Sequence, residues 1–281
     1  MKKDRIENLY KSYQGDLDTQ GIYSIKDICY DHTSHYQSFD IYYPDSRKSV
    51  YPIIIYIHGG AFIKGDKKRY QLYSPLQVIH HGYVVVSLNY RLLPEGDFID
   101  ALKDVITAIT YLIQHGKEYQ IDIQKMILWG ESAGASLAVY AITHGVFPIH
   151  IQAVIDWYGS IDFENIEKQL KENGKRPLMI DGQTIHRHKF KEKNDASYHA
   201  LVKKINPYMH DFEYIPSFYI EHGTKDDIVP VQQSIDLYRF LMKQSINHHK
   251  LKIIEDLGHG VKGFDSEKNL NDIFTWLKSI I

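Results

Sequence analysis

Four separated stretches of this chain carry residue types able to perform acyl transfer. Met126-Ile127-Leu128-Trp129-Gly130-Glu131-Ser132-Ala133-Gly134-Ala135 is an apolar run that breaks on Gly-x-Ser-x-Gly and continues into small residues suited to a helix start. Flanking glycines permit a tight strand-to-helix turn, which lifts the Ser132 oxygen clear of a sheet edge as a nucleophile. Upstream, Pro52-Ile53-Ile54-Ile55-Tyr56-Ile57 runs into His58-Gly59-Gly60-Ala61-Phe62, a second apolar strand ending in a glycine-rich turn. Backbone N–H groups of such a turn, joined by the N–H after the nucleophile, can hold the oxyanion of a tetrahedral intermediate; the expected donors are Gly60, Ala61 and Ala133.

A hydroxyl is a weak nucleophile at neutral pH, so a histidine must take its proton and a buried acid must orient that histidine. Of the 16 histidines, His259 has the best placement, in Glu255-Asp256-Leu257-Gly258-His259-Gly260, the loop after the late strand Leu251–Ile254. The acid is expected in the loop after Pro216-Ser217-Phe218-Tyr219-Ile220, with Asp226 chosen and Asp227 its competitor. Asp156 and Asp162, which follow another strand, are alternatives. In the resulting scheme His259 deprotonates Ser132, the oxyanion rests on the three amides, and His259 then protonates the departing group. Activity should rise as the base loses its proton, around pH 6–7 for an ordinary imidazole.

The order Ser132, Asp226, His259 and five motifs together resemble the α/β-hydrolase fold, and within it the hormone-sensitive-lipase-like and carbohydrate- and feruloyl-esterase-like (BD-FAE-type) carboxylesterases. The motifs are His58-Gly59-Gly60-Ala61-Phe62, Asn89-Tyr90-Arg91-Leu92-Leu93-Pro94-Glu95, Gly130-Glu131-Ser132-Ala133-Gly134, His222-Gly223-x-x-Asp226-x-x-Val229-Pro230 and Gly258-His259. The resemblance implies a serine carboxylesterase that cleaves short-chain, fairly polar esters, acetylated sugars or hydroxycinnamoyl esters among them, through an acyl-enzyme. A formamidase or peptidase with the same triad, or a ligand-binding homologue without catalysis, is the alternative. The substrate is a small molecule, no metal or organic cofactor is implied, and relatives of this kind often form homodimers. Two departures stand out: Ala61 replaces a frequent third glycine, and Glu95-Gly96-Asp97-Phe98 replaces a His-Pro-x-Pro run.

The positioning elements are legible as alternating strands and helices. Strands are expected at Tyr23–Tyr30, Ser38–Tyr43, Ile53–Ile57, Tyr83–Leu88, Lys125–Trp129, Ala153–Trp157, Ser217–Ile220 and Leu251–Ile254, most of them near-continuous apolar runs suited to a sheet covered on both faces. Ile99, Leu102, Val105, Ile106, Ile109, Leu112 and Ile113 keep helical spacing between two of them. The expected architecture is therefore α/β, a mostly parallel central sheet with helices on both faces, with the chemistry at the carboxyl ends of its strands.

Residues 1–281 are expected to form a single domain, with an N-terminal helical segment over 1–20 carrying Ile6, Leu9, Tyr10 and Tyr13 on one face. From Phe163 to Ile205 the alternation is interrupted by a Lys-, Glu- and His-rich stretch, expected as a polar cap insertion over the site. Phe62, Trp157, Tyr158 and Phe264 are the expected pocket aromatics. Lys175, Arg176, Arg187 and Lys189 could draw an anionic substrate, but a charge run of this kind ordinarily reads as a solvated surface; His186 and His188 lack the further partners that a metal site would need.

A formal charge of -2 gives no electrostatic reason to expect nucleic acid or an anionic membrane. Cys29 is the only cysteine, which excludes an internal disulfide and fits a reducing compartment. The charged start Met1-Lys2-Lys3-Asp4-Arg5 lacks the apolar core of a signal peptide, and no apolar run reaches the length of a membrane span, so the cytoplasm is the expected location.

Overall fold

The computed structural model describes residues 15–45, 48–180, 182–191, 194–212, 214–244 and 248–281. The apolar runs become strands because burying β-branched side chains on both sides of a sheet outweighs any helical tendency. In chain order they are β1 (Ser24–Cys29), β2 (Ser38–Tyr42), β3 (Tyr51–Ile57), β4 (Val84–Leu88), β5 (Ile121–Glu131), β6 (Ala153–Trp157), β7 (Met179–Ile180), β8 (Gln183–Thr184), β9 (Ser217–Gly223) and β10 (Lys250–Ile254). Eight of them form one sheet in the order β1-β2-β4-β3-β5-β6-β9-β10, and β7 and β8 pair as a separate hairpin. Within the large sheet β2 runs antiparallel to β1 and β4, and the remaining neighbours are parallel.

Strand geometry sends successive side chains to opposite faces, and the two faces build two cores. Ile53, Ile55 and Ile57 join Val84, Val86, Leu88, Met126 and Leu128 on one side. There they pack under the helices α2 (Phe98–His115), α3 (Ala133–His144) and α7 (Gln232–Gln244), which follow the short α1 (Tyr73–Leu76) in the chain. Ile54, Tyr56, Val85, Ile127, Trp129 and Ile155 face the other way, against α8 (Glu267–Lys278) and the helical turns over 70–81. At about 1.5–3 kcal/mol for each fully buried aliphatic side chain, β3 alone makes a large contribution to holding the layers together.

The segment where His-Pro-x-Pro is absent has its own local logic. Asp97 caps α2, its Oδ1 accepting from the Ile99 and Asp100 amides at 3.0 and 3.1 Å, while Asp100 Oδ2 accepts from the Asp97 amide at 3.2 Å. This reciprocal box satisfies donors that a helix start leaves unpaired.

Residues 163–205 hold α4 (Ile166–Glu172), the β7–β8 hairpin, α5 (Ile185–His188) and α6 (Asp195–Ile205). Their polar composition is only part of the account: Ile166, Leu170, His186, Lys189, Phe190, Tyr198 and Val202 are buried. A hydrogen bond from the Phe98 amide to the Lys189 carbonyl, 2.8 Å, ties this segment to the start of α2. The helix expected near the N-terminus falls mostly outside the described residues; within them, Asp16 bridges to Arg69 and Leu17 is buried. Among the described residues no helix is long and apolar enough to cross a membrane.

Candidate active site

Strand register gathers the four chemical segments at one edge. Ile57 pairs with Gly130, Glu131 with Trp157, Trp157 with Glu221 and Gly223 with Ile254, so the carboxyl ends of β3, β5, β6, β9 and β10 stand side by side. The loops leaving those ends carry His58, Ser132, Tyr158, Asp226 and His259.

Ser132 sits between β5 and α3 with φ 51° and ψ -116°, a strained conformation for a residue with a Cβ. The turn closes only because a glycine follows: a Cβ on Gly134 would fall 1.9 Å from the Ile57 carbonyl oxygen. The Ser132 amide donates to the Trp157 carbonyl at 2.8 Å, pinning the bend to β6. From there Ser132 Oγ lies 2.8 Å from His259 Nε2, and His259 Nδ1 lies 2.7 Å from Asp226 Oδ2.

Asp226 is buried and heavily partnered. Its Oδ1 accepts from the Ile228 and Val229 amides at 2.9 and 2.8 Å, and its Oδ2 also stands 3.2 Å from His222 Nε2. Burial would raise its carboxyl, but hydrogen bonds from His222 and His259, with their charges, outweigh that and hold it well below the usual carboxylate range. His222 is itself oriented, with Nδ1 2.7 Å from Ser234 Oγ and Nε2 2.9 Å from the Val229 carbonyl. The competitor Asp227 is exposed. Asp156 accepts from the Gly159 amide at 2.9 Å, and Asp162 accepts from Glu164, Asn165 and Asn206, so neither is directed at His259.

The turn expected to receive the oxyanion is held by residues from several strands. Gly60, Ala61 and Phe62 take φ values of 116°, 56° and 64°, and the Gly60 carbonyl accepts from the Ile63 and Lys64 amides, both at 3.1 Å. Among the described residues the Gly60 and Ala61 N–H groups donate to no protein acceptor, and Ala133 opens α3, where the first N–H groups lack intrahelical partners. Tyr90 stacks on the His58 ring with centroids 4.5 Å apart, and its hydroxyl donates to the His58 carbonyl at 2.8 Å. The neighbouring Arg91 pairs with buried Asp104 at 2.7 Å. Both residues of the Tyr-Arg motif are therefore scaffolding for the turn and for α2.

Glu131 links turn to elbow. Its Oε1 accepts from the Tyr56 hydroxyl at 2.7 Å and the Gly59 amide at 3.4 Å, and its Oε2 from the Tyr158 hydroxyl at 3.0 Å. Burial raises its carboxyl, and these donors partly offset the rise. No local pattern announces Tyr56 or Tyr158 as its partners, since they lie 75 and 27 residues away in sequence.

Beside Ser132 lies a cleft of about 20 Å³, lined by Ala61, Phe62 and Ala133, by Ser160, Ile228 and Val229, and by Ile185, His186 and Lys189 from the 163–205 segment. Of the four expected pocket aromatics, Phe62 lines it. Trp157, Tyr158 and Phe264 do not: Trp157 packs edge-on to Trp129 at 5.2 Å, while the Tyr158 ring meets His259 at 4.9 Å and Phe264 at 4.8 Å. They follow β6 and the His259 loop into the second core, where they brace the histidine from behind. The charge run is also redistributed. Arg176 is exposed, Lys175 donates to the Asp226 carbonyl, Arg187 pairs with Asp195, and Lys189 is buried. Buried His186 donates through Nε2 to the Ile228 carbonyl at 3.0 Å, and burial, aided by the Lys189 charge, lowers its imidazole to about 3. Among the described residues no three His, Cys, Asp or Glu cluster as metal ligands would.

Comparison with known proteins identifies the family and the fold. Residues 39–241 match the BD-FAE family model. The chain is 27% identical over 215 residues to the probable carboxylic ester hydrolase LipM of Mycobacterium tuberculosis, covering 71% of this chain and 48% of LipM. It is 31% identical over 112 residues to the acetyl esterase of Salmonella schwarzengrund, covering 38% of this chain and 34% of that one. The chain thus spans less than half the length of these curated relatives. Among solved structures, a truncated carbohydrate esterase from gut microbiota superposes with a TM-score of 0.77 at 23% identity, covering 95% of this chain and 99% of that chain. Esterase B from Lactobacillus rhamnosis gives a TM-score of 0.76 at 20% identity, covering 99% and 90%. The shared fold is the α/β-hydrolase fold.

Proposed function

Because the chain belongs to the BD-FAE family, we propose that it is a serine carboxylic ester hydrolase acting on short-chain, fairly polar esters through an acyl-enzyme. The continuous Ser132–His259–Asp226 hydrogen-bond chain, 2.8 and then 2.7 Å, carries this reading. His259 Nε2 takes the Ser132 proton as Oγ attacks the ester carbonyl, and Asp226 stabilises the imidazolium that forms. The amides of Gly60, Ala61 and Ala133 receive the oxyanion. His259 then gives its proton to the departing alcohol, and a water repeats the cycle on the acyl-enzyme to release the acid. Tyr56, Glu131 and Tyr158 keep the oxyanion turn in register with the elbow, so the donors need no reorganisation as charge develops.

Residues 163–205 serve as a cap that closes the cleft with Ile185, His186 and Lys189. The cleft beside Ser132 is narrow, which favours short acyl chains over long ones. Hydrolysis of p-nitrophenyl esters from acetate to decanoate, with wild type and Ser132→Ala in parallel, tests the reading. Ser132-dependent turnover that peaks at acetate or butyrate is the expected result. No turnover above the alanine control would overturn it and redirect attention to formamides, peptides or non-catalytic ligand binding.

A further inference from the structure

Lys189 is buried at the cleft with 3% of its surface exposed, in a setting that does not complete its hydrogen bonding. Among the described residues its Nζ has no carboxylate partner, and its hydrogen bond to Ser160 Oγ is long at 3.4 Å. The remaining surroundings are aromatic: the Phe163 ring centroid is 3.4 Å from Nζ, with Phe62, Phe98 and Phe190 at 5.4, 5.9 and 5.9 Å. Ring faces attract a cation but accept hydrogen bonds poorly, so an ammonium with three donors is left short of acceptors. Lysine is almost never fully buried without a partner, and burial drives this amine well below its usual range.

The cleft that Lys189 lines is the one holding Ser132, Ala61 and Ala133. Its walls include Ser132 and the residues of two expected oxyanion donors, Ala61 and Ala133, so an acyl group whose carbonyl engages those amides extends into it. His186, the other titratable side chain lining it, is committed to the Ile228 carbonyl. Two of the cleft's walls neighbour Nζ, Ser160 Oγ at 3.4 Å and the Phe62 ring at 5.4 Å, so an acyl group entering there approaches a hydrogen-bond donor short of acceptors and set among aromatic rings.

Resting on the esterase reading above, we propose that Lys189 is a specificity residue whose Nζ binds a carboxylate at the end of a short acyl group. The enzyme then favours half-esters of small dicarboxylic acids over neutral esters of the same shape. The carboxylate supplies both the missing acceptors and the counter-charge, and in a water-poor cleft a charge-assisted pair is stronger than one with a neutral oxygen. The four rings hold Nζ in place while the site is empty, where burial favours the neutral amine, and an entering carboxylate favours its protonation.

The test compares monomethyl malonate with methyl isovalerate, in which a carboxylate is exchanged for an isopropyl group of similar shape, followed by NMR for wild type and Lys189→Met. The ratio of kcat/KM for malonate over isovalerate should fall by on the order of 10- to 100-fold in the variant, while isovalerate hydrolysis changes only a few-fold. A role in packing alone would lower both esters together. A readout that does not need the variant is competition with wild-type p-nitrophenyl acetate hydrolysis, where monomethyl malonate should inhibit at concentrations at least tenfold below those needed for methyl isovalerate. An unmoved ratio in a folded variant, or malonate no better than isovalerate as inhibitor, overturns the assignment while leaving the esterase intact. Failure of wild type on every ester, with Ser132 unlabelled by a fluorophosphonate, overturns the esterase reading and this inference with it.

Discussion

Replacing Asp226 with asparagine isolates the part of the site that sets the histidine tautomer. In Asp226→Asn the amide oxygen retains the Ile228 and Val229 N–H groups that Oδ1 accepts at 2.9 and 2.8 Å, so the side chain keeps its orientation and directs its NH2 to where Oδ2 stood. That atom lies 2.7 Å from His259 Nδ1, and an amide donor there forces Nδ1 to accept. The proton then resides on Nε2, facing Ser132 Oγ at 2.8 Å, and the base can no longer take the serine proton. In the serine-protease template, the same Asp-to-Asn exchange leaves the geometry intact and lowers kcat about 10⁴-fold. At about 1.4 kcal/mol per decade this corresponds to roughly 5.5 kcal/mol of lost transition-state stabilisation. We expect Asp226→Asn to lower kcat for p-nitrophenyl acetate by on the order of 10³- to 10⁴-fold with KM changed only a few-fold, and to slow fluorophosphonate labelling of Ser132 in proportion. The matching assay is steady-state hydrolysis with circular dichroism of both proteins to establish folding. A folded variant that keeps more than a tenth of wild-type kcat would refute the assignment of Asp226 as the orienting acid.

Two further outcomes concern stability. Burial raises the Glu221 carboxyl to about 7, against hydrogen bonding from Asn269 and the Lys252 charge. A carboxyl whose folded value is raised stabilises the native state at pH below its unfolded value, and that stability is lost as pH rises from about 4.5 through about 7. The loss amounts to about 3 kcal/mol at most. Glu221→Gln should therefore denature at higher urea than wild type at pH 8 and show little difference at pH 4.5; equal midpoints at pH 8 would contradict this sign. Gly134→Ala forces a Cβ to within 1.9 Å of the Ile57 carbonyl, which only a shift of backbone can relieve. It should cost about 3 kcal/mol or more in urea denaturation and lower kcat through the displaced Ser132; a variant of wild-type stability and activity would show that the elbow does not need this close approach.

The chemistry-bearing segments were readable because their signals are local. A buried parallel strand is written as a run such as Ile53 to Ile57, and the turn that must follow is written in glycine, so both the serine elbow and the His58-Gly59-Gly60 turn are visible in a few consecutive residues. The strands and α2 match the pattern to within a few residues for the same reason, although β5 begins earlier, at Ile121, and extends to Glu131.

Choices between neighbours in the sequence were left to the tertiary structure. Asp226 and Asp227 are chemically equal, and only the path of the loop after β9 turns one toward His259 and the other to solvent. Trp157 and Tyr158 are adjacent to the site in sequence but enter the core behind the histidine, because the strand alternation at the end of β6 and the turn at Tyr158, φ 46°, direct them there, and Phe264 joins them from the turn after His259. The sharpest case is Lys189, which in the sequence belongs to a charged stretch suited to solvent. Its burial is decided by Phe62 from the turn after β3, Phe98 from α2 and Phe163 from the start of the 163–205 segment, residues up to 127 positions away in the chain. Periodicity and composition describe what a segment can bury by itself, whereas a cage assembled from distant elements exists only after the chain has folded.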